Sequence, residues 1–320
     1  MTDEIRFLDA SDLPPRRPRW RLRILAGLSA GLFLAFGFAQ LDRSTAARLG
    51  PLGEVAHDLL SPREADHQAT DSAAARRFKA EVRALRATPS VAVIKPGVLG
   101  TFGRVEHYSV VANDPAFDDA ALAELAAKYG DRITNLLLQD TAVTDAGLAA
   151  LAKFPRLHQL AIGHHRWRAR PGAPAPPPCP ITDAGLAHLR GLNHLDLINL
   201  NGLPIPDAGL DALRDLPNLN SLYLFGTQVR GQGLARFRSL PRLSILYLDD
   251  APLAEDGLKA LAGATALRLL SLKQVPLEPR AVPLLRALPP GLDRLELTGC
   301  GLLDEEVATL KRPGLKIIRQ

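Results

Sequence analysis

The sequence predicts an α/β fold in which short parallel strands and short helices alternate along a solenoid. A nine-residue phrase recurs, as VTDAGLAAL from Val143, ITDAGLAHL from Ile181 and IPDAGLDAL from Ile205. Around this phrase, leucine and isoleucine return with a period of 24 residues. Within each period the apolar spacing is first that of a strand and then that of a helix. Units of this kind stack, because one unit alone cannot bury its own apolar edge.

The first 72 residues precede the repeats and predict a membrane tether. Five arginines between Arg16 and Arg23 come before an uncharged run from Ile24 to Ala39. Extended to residues 20–41, the run is long enough to cross a hydrocarbon core about 30 Å thick. The basic flank places the N-terminus in the cytoplasm. We therefore expect a disordered cytoplasmic tail at 1–19, a transmembrane signal-anchor helix at 20–41 and a linker at 42–72.

This arrangement predicts a single-pass protein of the inner cell membrane whose repeat domain is extracytoplasmic. One alternative is a cleaved signal peptide, because Gly37-Phe38-Ala39 has the small residues of a cleavage site. The other alternative is that the apolar run is a buried core helix.

Residues 73–132 predict an N-terminal α/β cap. A helix from Ser72 to about Arg86 places Phe78, Val82 and Leu85 on one face. That face is expected to cover the open end of the solenoid, the alternative being contact with a membrane surface. Two strands, SVAVI at 90–94 and VEHYSVV at 105–111, and a degenerate copy of the repeat at 117–122 complete the cap.

The repeat domain spans 133–320, and its register is set by the first apolar residue of each unit. Positions 4 and 6 alternate as in a strand and point to the core, so that positions 3, 5 and 7 lie on the opposite face. A helical segment starts near position 11, with Thr144 and Thr182 or the following Asp as caps. The glycine at position 15 indicates close packing between neighbouring coils. Position 1 is occupied by Ile133, Leu157, Leu195, Leu219, Leu243, Leu267 and Leu292.

The pattern L-x-x-L-x-L followed by T-x-[VI]-T-D-A-G-L-x-x-L resembles that of bacterial leucine-rich-repeat proteins of the 24-residue type. The resemblance covers residues 133–320 and implies parallel strands on a concave face and short helices on a convex face. The family commonly has Asn or Cys at position 9. This chain has Leu203, Ala251 and Val275 there in three units, which implies an irregular hydrogen-bond ladder within the same fold.

An insertion of about 14 residues, at about 165–178, separates the strand from the helix of the second unit. Its proline content favours extended geometry. Either it is a projecting contact arm or it is a tolerated surface insertion. The residues that would form the contact are Arg166, Trp167, Arg168 and Arg170.

The concave face of the sheet is the predicted binding site. Tyr223 and Tyr247 occupy position 5 of adjacent units in a chain with only 5% aromatic residues. Apolar residues surround them and charged residues lie at the edge, as in an interface with an apolar centre and a polar rim. The alternative is that aromatic residues simply favour strands. The predicted site comprises Leu197, Asn199, Tyr223, Phe225, Ile245, Tyr247, Asp249, Leu269 and Lys273.

The sequence contains no recognisable catalytic motif, and we expect no enzyme activity and no cofactor. His164, His165 and Cys179 suggest a metal site, with His158, His188 and His194 not far away in the sequence. The repeat register places Cys179 toward the core, His188 on the helical layer and His158 near a strand start, so no metal site is expected. Cys179 and Cys300 occupy the same position five strands apart, roughly 24 Å, which is too far for a disulfide. The net charge of +5 owes much to the N-terminal arginine cluster and predicts no nucleic-acid partner.

We therefore expect a membrane-anchored module whose concave sheet recognises another macromolecule. A partner protein is the first expectation and a surface glycan the second, and the N-terminal helix supplies the contact with the membrane. The alternative is a soluble, substrate-recruiting adaptor of ubiquitin-ligase type, since similar T-D-A-G-L repeats occur in such adaptors. In that case residues 73–132 would be the docking module.

Overall fold

Ten strands form one continuous sheet in chain order in the computed structural model, which describes residues 73–94, 105–163 and 180–319. The first two strands are antiparallel, and every later strand pairs in parallel with the one before it. The strands are β1 Thr88–Ile94, β2 Val105–Ala112, β3 Ile133–Gln139, β4 Gln159–Gly163, β5 Leu197–Asn199, β6 Ser221–Tyr223, β7 Ile245–Tyr247, β8 Leu269–Ser271, β9 Arg294–Glu296 and β10 Lys316–Ile318.

From β2 onward, helices return the chain from each strand to the next. The α-helices are α1 Ala73–Ala84, α2 Asp119–Tyr129, α3 Asp183–Leu186, α4 Glu255–Leu261, α5 Val282–Arg286 and α6 Asp304–Ala308. The 3-10 helices are Gly147–Lys153, Ala187–Leu189, Asp207–Leu213, Gln232–Ser239 and Pro279–Ala281. The predicted leucine-rich-repeat solenoid is thereby confirmed for the described residues, with much of the helical layer in 3-10 form.

The core lies between the sheet and the helical layer, as the strand alternation predicts. Position 4 of each unit is fully or almost fully buried, and so is position 6. Position 11, where the chain turns toward the helix, is also buried in every unit. The position 4 residues are Leu136, Leu160, Ile198, Leu222, Leu246, Leu270 and Leu295.

The cap covers the first coil of this core. The ring of Phe78 on α1 is fully buried and packs edge-to-face on Tyr108 and Tyr129, with centroids 4.8 and 4.9 Å apart. Val82 is also fully buried. The apolar face of α1 therefore closes the end of the solenoid, the first of the two predicted roles. The helix ends slightly before its predicted limit, and Arg86 then takes a left-handed φ of 61°.

The Thr-Asp pair of the recurring phrase ties successive coils together. The carboxylate of Asp119 accepts hydrogen bonds from the backbone N–H of Thr144 at 2.7 Å and from its hydroxyl at 2.6 Å. Asp145 accepts the same two bonds from Thr182, at 2.8 and 2.6 Å. Each aspartate thus satisfies polar groups at the start of the next coil. Thr182 also caps the helix that follows it, as predicted, because its hydroxyl accepts a hydrogen bond from the N–H of Ala184 at 3.2 Å. The helix that follows Thr144 has no side-chain cap at its N-cap residue.

Some predictions lie outside the described residues: the tail, the transmembrane segment, the linker and the insertion. Among the described residues, none of the helices has the length and the hydropathy of a membrane span. Cys300 is buried. Cys179 lies outside the described residues, so the separation of the two cysteines stays a prediction.

Candidate functional site

The strand register brings positions 3, 5 and 7 of successive units into rows across the outer sheet face, the face turned away from the core. Asn199, Tyr223, Tyr247, Ser271 and Glu296 are direct partners along one row. A second row contains Leu197, Ser221, Ile245, Leu269 and Arg294. Both rows follow from the predicted period, which is 24 residues from β5 to β8 and 25 residues to β9.

Tyr223 and Tyr247 form a stacked pair at the middle of the outer sheet face. Their ring centroids are 4.8 Å apart and their planes differ by 7°. This distance equals the spacing of neighbouring strands, so one ring lies on each of two adjacent strands. Both side chains are partly exposed, as are Phe225 and Leu269 beside them. Burial raises the pKa of Tyr223, and burial together with the charge of Glu296 raises that of Tyr247, so both rings are neutral phenols at neutral pH.

A cluster of charged and polar side chains adjoins Tyr247. The hydroxyl of Ser271 donates to Asp249 at 2.5 Å and contacts Glu296 at 3.2 Å. Glu296 is almost fully buried and forms ion pairs with the ammonium group of Lys273 and with the guanidinium of Arg294, the latter at 2.5 Å. We call Asp249, Ser271, Lys273, Arg294 and Glu296 the polar cluster.

The two carboxyl groups of the polar cluster have opposite pKa shifts. Burial raises the pKa of Asp249, although Ser271 and the backbone N–H of Lys273 donate to it. Burial also acts to raise the pKa of Glu296, but its pairs with Lys273 and Arg294 outweigh that effect and hold the pKa below its ordinary value. Glu296 is therefore a paired carboxylate at neutral pH.

Four residues of the predicted site are buried and do not offer an accessible surface. The exposed fractions are 0% for Leu197, 6% for Asn199, 7% for Ile245 and 3% for Asp249. Side chains in the same row stand one strand spacing apart and cover one another's flanks, an effect that the alternation pattern does not include. The expectation that these four form a contact surface is wrong. The accessible part comprises Tyr223, Phe225, Tyr247, Leu269 and Lys273.

Position 7 also has a structural role that explains the burial of Asp249. Its carboxylate accepts the backbone N–H of Lys273, the same position in the next unit, at 2.9 Å. Asn201 accepts the N–H of Phe225 in the same way, also at 2.9 Å. These side chains satisfy backbone donors beyond the end of the strands. Asp249 is thus part of the scaffold beneath the site.

The prediction omitted three members of the polar cluster, Ser271, Arg294 and Glu296. All three occupy outer positions of the predicted strands, so their face was predictable. The signal that would have identified them is charge: Arg294 and Glu296 are two residues apart on one strand and have opposite sign.

The structure does not test the remaining site predictions. Some of these predictions lie outside the described residues: Arg166, Trp167, Arg168 and Arg170 of the insertion, and His164, His165 and Cys179. In the described ranges no group of His, Cys, Asp and Glu is arranged to hold a metal ion.

Comparison with protein-family models gave no match, and comparison with curated protein sequences gave none either. Among solved structures, the chain is similar to internalin C2 of Listeria monocytogenes, with 18% identity and a TM-score of 0.44 over 66% of this chain and 80% of that one. It is also similar to an internalin (inlF) of the same species, with 19% identity and a TM-score of 0.40 over 62% of this chain and 49% of that one.

Proposed function

We propose that this chain is a membrane-tethered, extracytoplasmic leucine-rich-repeat protein that binds another protein through its outer sheet face. The observation that carries the proposal is the stacked pair of Tyr223 and Tyr247. Rings on this face cannot contribute to the core, which lies on the other side of the sheet. Partly exposed aromatic residues next to a charged cluster have the composition of an interface centre and its rim.

A protein is favoured over a glycan as the partner at this face. Tyr223 and Tyr247 each cover one face of the other ring, and a sugar would use the ring faces for stacking. The parts of the rings that stay exposed, together with Phe225, Leu269 and the aliphatic part of Lys273, suit the apolar side chains of a protein. The paired charges of Lys273 and Glu296 also leave this rim nearly neutral.

The adaptor alternative requires a docking module in residues 73–132. In the structure β1 and β2 continue the sheet of the repeats, and α1 covers the end of the core. This use of the cap in the solenoid favours a binding module over an adaptor.

The proposed site is tested by capture with the full-length chain and two variants. Tyr223→Ala/Tyr247→Ala removes the stacked pair, whereas Leu303→Ala removes an exposed apolar residue, 58% exposed, that lies away from the sheet face. We expect the wild type and the Leu303 variant to retain the same surface protein. The affinity of the tyrosine variant for that protein is expected to be lower by roughly 30-fold or more, because aromatic hot spots each contribute about 2 kcal/mol or more. Unchanged thermal midpoints show that folding is intact. Equal capture by all three proteins would exclude the outer sheet face.

The proposed tether is tested separately by protease treatment of intact cells and of spheroplasts. An extracytoplasmic repeat domain is cleaved in spheroplasts, while a tail at 1–19 is protected. Protection of the repeat domain in spheroplasts would refute the topology and leave the binding face untouched.

A further inference from the structure

The two edges of the solenoid carry opposite charge. All coils run in the same direction, so the segments that follow each helix and lead into the next strand lie together. A backbone ladder joins them, in which Asp196 donates to His158, Asn220 to Asp196 and Ser244 to Asn220, at 2.8, 2.8 and 2.9 Å. We call this side the helix-end edge; it comprises 150–158, 188–196, 212–220, 236–244, 260–268, 284–293 and 309–316.

The helix-end edge contains twelve Lys and Arg residues against three Asp and Glu residues. On the opposite side, the helix-start edge comprises 139–147, 180–185, 201–209, 225–233, 249–257, 273–281 and 298–306. It contains twelve Asp and Glu residues against three Lys and Arg residues. The separation of charge is therefore a property of the whole described solenoid.

Helix electrostatics explain how such a separation arises locally. Acidic residues are favourable at the N-terminus of a helix and basic residues at its C-terminus, each by about 0.3–1 kcal/mol. In a bundle of antiparallel helices these preferences would alternate and cancel. In this solenoid the helices between the parallel strands all point the same way, so the local preferences add up to one basic and one acidic edge.

Many cations of the helix-end edge are held in place without being neutralised. Arg242 donates to the side-chain oxygen of Asn218 at 2.7 Å, Arg268 to the carbonyl of Gly291 at 3.1 Å and Arg312 to the carbonyl of Leu288 at 2.9 Å. Arg190 and Arg238 are exposed. No acidic group of the described residues forms an ion pair with any of these five. Asp215, in contrast, is paired with Arg214 at 3.1 Å.

We propose that the helix-end edge binds a linear acidic polysaccharide laid along the solenoid, independently of the outer sheet face. The fixed guanidinium groups match carboxylates along such a chain. Neutral donors and acceptors for sugar hydroxyls stand among them, since Asn193, Ser239 and His194 are exposed on the same edge. Release of counterions from a densely charged polymer supplies the driving force.

Three other partners fit this edge less well. Single-stranded nucleic acid requires exposed aromatic residues for base stacking, and both aromatic side chains here, Phe154 and Phe237, are buried. An anionic membrane is held best when apolar side chains insert, but the exposed large apolar residue of the described part, Leu303, is on the helix-start edge. A second copy would offer its acidic edge, yet exposed ion pairs give about 0–1 kcal/mol each against an association cost of roughly 4–15 kcal/mol.

The test measures binding of the full-length chain to fluorescent polygalacturonate, with fully methyl-esterified polymer as the uncharged control. Arg190→Gln/Arg238→Gln/Arg242→Gln removes three exposed cations of the edge that form no ion pair with the described residues. Arg230→Gln/Lys259→Gln/Arg280→Gln removes three exposed cations elsewhere, so both variants have the same net charge. We expect a loss of affinity of roughly tenfold or more for the first triple variant and less than about twofold for the second, with a steep decrease as salt rises. Arg156→Gln/Lys311→Gln provides a second edge variant, expected to weaken binding in the same direction.

Equal losses in the two triple variants would overturn the proposal, because net charge alone would then account for binding. Equal affinity for the methyl-esterified polymer, or no binding to either polymer, would also overturn it. Tighter binding to duplex DNA or to phosphatidylglycerol vesicles would assign the edge to another class of partner. Self-association of the chain that is lost in the first triple variant would assign it to a second copy.

Discussion

The glycine at position 15 shows how one residue connects two coils. A Cβ atom at Gly147 would fall on the carboxylate of Asp119 in the preceding coil, well inside van der Waals contact. That carboxylate accepts the two hydrogen bonds from Thr144. The predicted close approach of coils is thereby confirmed, and the atom in the way belongs to the aspartate that links the coils.

Gly147→Ala is accordingly expected to destabilise the protein by about 1–3 kcal/mol, because the carboxylate must leave its two donors or the coils must separate. In the Asp119→Ala background the carboxylate is absent. Of the three atoms nearest to the added Cβ at residue 147, only the Cβ of residue 119 then remains, at 3.1 Å. There the same substitution is expected to cost little or to stabilise, by up to about 1 kcal/mol of helix propensity. Chemical denaturation of the four proteins of this cycle measures the coupling. Additive effects would show that the carboxylate is not the obstacle.

At the scale of elements, the strands and their faces were predictable because a period of two is a strong signal. The apolar residues at positions 4 and 6 indicate both where a strand lies and which of its faces points to the core. The two strands of the cap were recognised from their β-branched residues alone. The type of helix was not predictable. Segments such as Asp207–Leu213 have seven residues, and over so few residues α and 3-10 geometry differ by little energy.

The candidate site was predictable in position and only partly in accessibility. Tyr223 and Tyr247 were assigned to adjacent strands by the period, and they do stack. The burial of Leu197 and Ile245 depends on how side chains in a row fill the space beside them, which no pattern of apolar residues specifies. The polar cluster depends on contacts between units, such as that of Lys273 with Glu296 in the next unit. The repeat period gives the position of each residue on the sheet, but it does not show which long side chains contact each other.

At the scale of the whole molecule, nearest-neighbour stacking makes the solenoid modular. The same hydrogen bonds recur at each step, since Leu200 donates to Tyr223, Leu224 to Tyr247 and Leu248 to Ser271, each at 2.9 Å. Each coil therefore depends on its two neighbours and on no distant segment. The alignment of each strand with the next is therefore the property on which the stacking of all the coils depends.

Removal of a complete unit tests this modularity. Deleting residues 222–245 joins Ser221 to Leu246 and restores the strand Ser-Leu-Tyr that β6 has in the intact chain. The two coils that flanked the deleted unit then become neighbours, and the backbone donors of one lie opposite the equivalent backbone acceptors of the other. We expect a folded protein with one cooperative unfolding transition and a lower denaturant m-value, in proportion to the surface of the lost unit.

The matched control deletes 222–244, one residue fewer, and so places Ile245 between Ser221 and Leu246. Either Leu246 then turns to the outer face, or the strand keeps its register and Leu219 leaves its fully buried position. Both outcomes lose a buried leucine, which costs about 2–5 kcal/mol. The control is therefore expected to unfold at a clearly lower denaturant concentration than the 24-residue deletion. Equal stability of the two deletions would mean that strand alternation does not fix the register of this solenoid.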